Sequence, residues 1–135
     1  MIFVRTKVRI MKKSISSENA PKPIGPYSQA VLVGNTLYTS GQIAINPKTN
    51  ELELDTIESE TELVMQNIKG LLNEVGMDFT NVVKCSIFIS DMNNFAQINE
   101  VYGKYFTANF PARETVEVAC LPKNVNVEIS AIAVK

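Results

Sequence analysis

The stretch Val125-Asn126-Val127-Glu128-Ile129-Ser130-Ala131-Ile132-Ala133-Val134 decides the fold. Val125, Val127, Ile129, Ala131 and Ala133 share one parity, and Asn126, Glu128, Ser130, Ile132 and Val134 share the other, the period of two that marks a strand. Towards its end both parities are apolar, so both faces of its sheet are expected to be covered. Working back along the chain, Arg113–Ala119 alternates, and Val83, Cys85, Ile87 and Ile89 alternate against Lys84, Ser86, Phe88 and Ser90. Gln29–Val33 and Thr36–Ser40 flank Gly34-Asn35, a two-residue hairpin signal. Between the strands lie two helical patterns. Ile57, Val64, Ile68, Leu71, Leu72 and Val75 fall on one face, with Asp55 and Glu58 as a capping-box start and Gly76 where a left-handed C-terminal residue belongs. An Asn93/Asn94 cap opens the second helix, whose apolar face is Phe95, Ile98, Tyr102, Tyr105 and Phe106. Two helices cover one face of a sheet, and no regular element remains for the other. The expectation is an α+β single domain, a mixed β-sheet with two helices on one face, and a homo-oligomer formed through the opposite face.

Composition removes whole classes of chemistry. At 135 residues the chain has the length of one domain, and it contains no histidine. Imidazole bases, Ser-His and Cys-His nucleophiles and His-ligated zinc are therefore excluded. Cys85 and Cys120 stand 35 residues apart, which fits no zinc spacing, and both read as ordinary buried thiols. No metal site is expected, and no run of apolar residues is long enough to span a membrane. The net charge of -1 conceals an asymmetry: Arg5, Lys7, Arg9, Lys12 and Lys13 all precede the first acid, and the remainder carries 8 positives against 14 negatives, a net of -6. An acidic body is poorly suited to collecting phosphates, so nucleic acid is disfavoured as a partner.

Residues 1–13 read as a basic N-terminal extension before a domain over 14–135. Ile2, Val4, Val8 and Ile10 alternate with Arg5, Lys7 and Arg9, a strand period that argues against the amphipathic helix of a transit peptide. A cytoplasmic location is expected, with the mitochondrion as the alternative if the extension is a targeting segment. Met11-Lys12-Lys13 resembles a second start.

Four side chains stand out. Arg113 is the sole arginine beyond the basic segment and follows Phe110-Pro-Ala. Its fork suits a ligand carboxylate, or it pairs with Glu114 or Glu117. Glu128 sits in a mostly apolar strand, so it borders a cleft or is held by a partner, because an isolated buried charge is costly. Tyr27 follows the stiff, irregular Pro21-Lys-Pro23-Ile-Gly25-Pro26 segment, and Ser40 precedes Gly41; each reads equally as a packing or turn residue.

Several separate motifs, in order, make a more specific pattern: Asn19-Ala-Pro through Ile24-Gly-Pro-Tyr27-Ser-Gln, Thr39-Ser40-Gly-Gln42-Ile, Phe110-Pro-Ala-Arg113, Val116-Glu-Val118 with Leu121-Pro, and Val127-Glu128-Ile through Ala131-Ile-Ala. From about Ile15 to the C-terminus the chain resembles the RidA/YjgF family of reactive intermediate deaminases. The resemblance implies a chorismate-mutase-like fold and a homotrimer with three sites in clefts between subunits. It also implies hydrolysis of 2-imino or 2-enamino acids, such as 2-aminoacrylate, to 2-oxo acids and ammonia, without a cofactor. By position it makes Arg113 the grip on the substrate carboxylate and Glu128 the residue that orients water, with Tyr27, Ser40 and Asn99 lining the pocket. Thr115 stands where many members have cysteine, which leaves its backbone amide for the substrate. Alternatives from other classes are an RNA-directed translation inhibitor or endoribonuclease, a label attached to the same family, and a non-catalytic 2-oxo acid-binding trimer.

Overall fold

The computed structural model describes residues 11–135, so most of the alternating basic segment lies outside the described residues. Six strands, β1 (Lys12–Ile15), β2 (Ala30–Val33), β3 (Thr36–Thr39), β4 (Val82–Ile89), β5 (Ala112–Glu117) and β6 (Val127–Val134), form one sheet in the order β1-β2-β3-β6-β4-β5. Neighbours are antiparallel except β4 and β5, which run parallel. Helix α1 (Ile57–Glu74) packs against β6 and β3, and α2 (Phe95–Gly103), which joins β4 to β5, packs against α1. The sheet is mixed and the architecture α+β, as the alternation of the last strand implies.

One parity of β6 faces the helices: Val127, Ile129, Ala131 and Ala133 are at most 3% exposed. They meet Val64, Met65, Ile68, Leu71 and Leu72 of α1, all essentially inaccessible. Each such side chain contributes about 1.5–3 kcal/mol by leaving water. The other parity stays half covered. In register across the sheet it gathers Val31, Tyr38, Ile132 and Lys84 in one row and Glu128, Phe88 and Val116 in another. Tyr38 and Val116 remain 47% and 40% exposed, so this face is apolar and largely uncovered in the single chain. Part of it is roofed without regular structure, where Ile43, Ile45, Leu121 and Val125 form a second cluster over Phe88.

Local details shift several expectations. The α1 cap is Thr56 with Ser59, not Asp55 with Glu58: the Thr56 hydroxyl accepts from the Ser59 amide at 3.0 Å and the Ser59 hydroxyl accepts from the Thr56 amide at 3.1 Å. The turn before α2 is capped by Asp91, which accepts from the Asn93 amide at 2.9 Å, while Asn94 makes no side-chain cap bond. Helix α2 ends at Gly103, and Tyr105 and Phe106 reach the core from the following turn, stacked around Phe79. A bulge between Val82 and Lys84 turns Val83 outward, so Val82 rather than Val83 joins the inner parity. Strand β1 runs from Lys12 to Ile15 and so spans the boundary drawn at residue 13. Cys85 is buried as expected; Cys120 is exposed. Gly34 has φ 57° and Gly76 φ 72°, as the hairpin and the α1 terminus require.

Candidate active site

The site begins with a defect in the sheet. Tyr38 pairs with Ile132, and the next backbone pairing is Gln42 with Ile129, so three residues on one strand face two on the other. That extra residue is a bulge, and such bulges re-aim side chains at the rims of sites. Thr39 repairs the ladder by accepting from the Ala131 amide through its hydroxyl at 2.9 Å. Ser40 remains tied to β2, its amide donating to Gln29 O at 2.9 Å and its hydroxyl to Ser28 O at 2.5 Å. The hydroxyl proton is thereby occupied, and the Ser40 oxygen faces the cavity as an acceptor.

Glu128 projects beside the bulge. A Cβ on Gly41 would lie 2.7 Å from its carboxyl carbon, so only glycine leaves room for this side chain. Burial raises the Glu128 carboxyl above the ordinary glutamate range, and among the described residues no hydrogen bond or charge offsets the shift. Tyr27 and Ser40 share its cavity, of about 300 Å³, with Pro21, Lys22, Ile24 and Pro122. The proline-rich wall is held by the buried amide of Gln29, which accepts from the Ser17 amide at 2.6 Å and donates to the carbonyls of Ser17, Ala20 and Pro21 at 2.8–3.1 Å. Within this wall the Tyr27 hydroxyl accepts from the Ile24 amide at 3.2 Å.

Arg113 lies elsewhere. Its register partner on β4 is Cys85, which puts it on the helix face, whereas the partner of Glu128 is Phe88 on the opposite face. Two strand spacings and three residues along β4 put their Cα atoms about 14 Å apart. Arg113 donates to Asn99 Oδ1 at 2.5 Å, and its guanidinium stands 5.1 Å from the Tyr102 ring and 5.7 Å from that of Phe95. The two carboxylates nearest to it in sequence are occupied. Glu114 pairs with Lys84 at 3.0 Å and accepts from Ser86, which hold it below its usual range, and Glu117 accepts from the Met92 amide. Among the described residues the guanidinium has no acidic partner and faces a cavity of about 420 Å³ lined by Asn99, Tyr102, Gly103, Phe110 and Pro111.

Five of the six residues singled out in the sequence thus fall into two half-sites on opposite faces: Tyr27, Ser40 and Glu128 in one, Asn99 and Arg113 in the other. Thr115 lines neither cavity; its register with Ile87 turns it inward, and its hydroxyl is buried without a partner among the described residues. Sequence reasoning gave no role to Gln29 or Gly41, although both stood inside quoted motifs, nor to the aromatic platform of Phe95 and Tyr102. Among the described residues no cluster of three His, Cys, Asp or Glu side chains could hold a metal.

Comparison with known proteins bears on the fold and the family. The family model described as Endoribonuclease L-PSP matches residues 17–135. A RutC family protein of Pyrococcus horikoshii is 51% identical, over 93% of this chain and 99% of its own length. The human 2-iminobutanoate/2-iminopropanoate deaminase is 44% identical, over 93% of this chain and 92% of its own. The crystal structure of E. coli TdcF with bound serine superposes with a TM-score of 0.87 at 42% identity, covering 91% of this chain and 98% of that one. With its fold, its ordered motifs and nearly its whole length accounted for in this way, the chain belongs to the RidA/YjgF family, the Endoribonuclease L-PSP family of the matching model.

Proposed function

We propose that the protein is a cofactor-independent deaminase of small 2-imino and 2-enamino acids, and that its sites form where the Glu128 half of one copy meets the Arg113 half of another. The observation that carries this reading is the division itself. A permanent cation without an acidic partner among the described residues and a carboxyl raised by burial sit in separate open cavities of one chain. The human relative is named for this reaction, and TdcF was crystallised with an amino acid bound. Because the two patches differ, their contact is heterologous, and a ring of three copies closes it with three equal clefts.

In such a cleft Arg113 grips the substrate carboxylate through two parallel N–H bonds, its fork oriented by Asn99 and stacked between Tyr102 and Phe95. This fixes the C=N carbon over the Glu128 cavity, with Tyr27 as an apolar wall. Glu128, as carboxylate, takes a proton from water while the water oxygen bonds to the imine carbon, giving a carbinolamine. The same carboxyl returns that proton to nitrogen. The C–N bond breaks as the carbinolamine hydroxyl gives its proton to the Glu128 carboxylate and the C=O bond forms; that proton then passes to the departing ammonia, so ammonium and the 2-oxo acid leave and the carboxylate is restored. A carboxyl raised toward neutrality serves both directions better than an ordinary one, and positioned acid–base help is worth about 10²–10⁴-fold. An iminium is already electrophilic, so no metal or organic cofactor is needed.

The test couples the protein to a serine or threonine dehydratase that generates the imine and follows 2-oxo acid release. Acceleration by the wild type and its loss in Arg113→Ala are expected. No acceleration, or acceleration that survives Arg113→Ala, overturns the proposal.

A further inference from the structure

Glu60 is a carboxylate with no exposed surface, in the first turn of α1 and outside both cavities. Among the described residues no cation pairs with it. Its partners are instead all on the chain entering β6. Oε2 accepts from the Asn126 amide at 2.8 Å and the Val127 amide at 3.2 Å, and Oε1 accepts from Asn126 Nδ2 at 2.7 Å. On the other side Asn126 O accepts from the Ser90 amide at 3.1 Å.

The sheet shows why a side chain is used here. Ile129 exchanges both backbone bonds with Gln42, so the amide of Val127, two residues earlier, points to the same side. Among the described residues no strand continues there, because the segment that would pair with it has left the sheet after the bulge. Glu60 replaces the missing strand. Glu128 is consequently held between two fixed points, the Glu60 clamp on Asn126 and Val127 and the Gln42 bridge at Ile129, with Gly41 in contact at its flank. A hydrophobic side chain would serve packing alone; a buried carboxylate that binds three donors of one turn serves geometry.

We infer that Glu60 is a positioning residue, which seats Glu128 by fixing the start of β6 through the reach of its carboxylate. The inference rests on the role given to Glu128 above. What matters is an acceptor at that distance rather than the charge. Glu60→Gln keeps the reach: its carbonyl can take both amides while the Asn126 side chain turns to accept from the new NH₂. Glu60→Asp keeps the charge and withdraws it by one methylene.

The experiment compares the full chain with both variants, following the Glu128 carboxyl resonance through a pH titration and imine turnover in the coupled assay. Lys22 and Tyr27 are the other titratable groups lining that cavity, and their titrations are followed alongside. Expected for Glu60→Asp are a Glu128 midpoint that falls toward the ordinary carboxylate range and a kcat loss of about 10- to 100-fold at unchanged KM. Glu60→Gln should keep the wild-type midpoint and most of kcat. The reverse order, or a folded Glu60→Asp with the wild-type midpoint and kcat, overturns the inference. Should Glu60→Asp not fold, Glu60→Gln decides alone, because a midpoint lost with the charge contradicts it. If the wild type turns over no imine, the proposed reaction fails, and the titration still decides the role of Glu60.

Discussion

Replacing Gly41 by alanine perturbs the Glu128 half-site by a single carbon. The φ of Gly41 lies outside the left-handed region, so the backbone accepts alanine, and what changes is space. The new Cβ would stand 2.7 Å from Glu128 Cδ, 2.9 Å from Oε1 and 3.0 Å from Cγ. Non-bonded carbons rest at about 3.5–4.0 Å, so the carboxyl must retreat by about 1 Å. The backbone of Glu128 is held on both sides, at Val127 and at Ile129, so the retreat falls on the side chain. A displacement of that size costs about 10²-fold in rate, equivalent to about 2.7 kcal/mol of transition-state stabilisation. KM should change little, because the proposed mechanism gives the carboxylate grip to Arg113. Coupled 2-oxo acid release gives kcat and KM, and thermal unfolding verifies that the variant is folded. A folded Gly41→Ala with wild-type kcat would refute the reasoning, since Glu128 would then not need the place the structure gives it.

Other consequences are as direct. Arg113→Lys keeps a charge but loses the fork, the Asn99 bond and the ring stacking, so kcat/KM should fall by about 1.5–3 kcal/mol's worth, mostly in KM, by steady-state kinetics. Gln29→Leu strands the Ser17 amide and three loop carbonyls, a loss of about 1–3 kcal/mol and several degrees of Tm by calorimetry. Because burial raises the Glu128 carboxyl, its ionised form opposes folding: the group favours the fold below the unfolded glutamate range, and that contribution is lost as pH rises through the folded value. Glu128→Gln should therefore be more stable than wild type at neutral pH, with the advantage shrinking on acidification, although the proposed mechanism makes it inactive; denaturant melts across pH test the stability and its pH dependence. Cys120 should react with a thiol reagent in the native protein, whereas Cys85, buried and pushed up to about 11, should react only on unfolding.

The parts of the fold that were legible are local or periodic. The α1 face, the Gly34 turn and the alternation of β6 each depend on a few neighbouring residues, and the uncovered second face follows from counting elements. What escaped depends on register. The face that Arg113 occupies is set by its parallel pairing with β4, and β4 carries a bulge at Val83 that a regular alternation hides. The same non-local fact sends Thr115 inward. A motif reading therefore collects Arg113 and Glu128 into one list while the sheet places them on opposite sides. The Asp55/Glu58 and Thr56/Ser59 pairs are both sound capping spacings one residue apart, and only the geometry selects between them. Gln29 stands in a motif that says nothing of its role, and Glu60 stands in none, because their partners are backbone groups whose isolation arises only when the strands are paired.

Two half-sites on one chain make a simple demand of a mixed assembly. Arg113→Ala and Glu128→Gln should each be inactive alone in the coupled assay. Unfolded together in equal amounts and refolded, they should assemble rings in which about one cleft in four pairs the intact Arg113 of one copy with the intact Glu128 of the next. Activity recovering to about a quarter of wild type is the predicted result. No recovery, with mixed oligomers verified by native mass spectrometry, would contradict a site shared between copies.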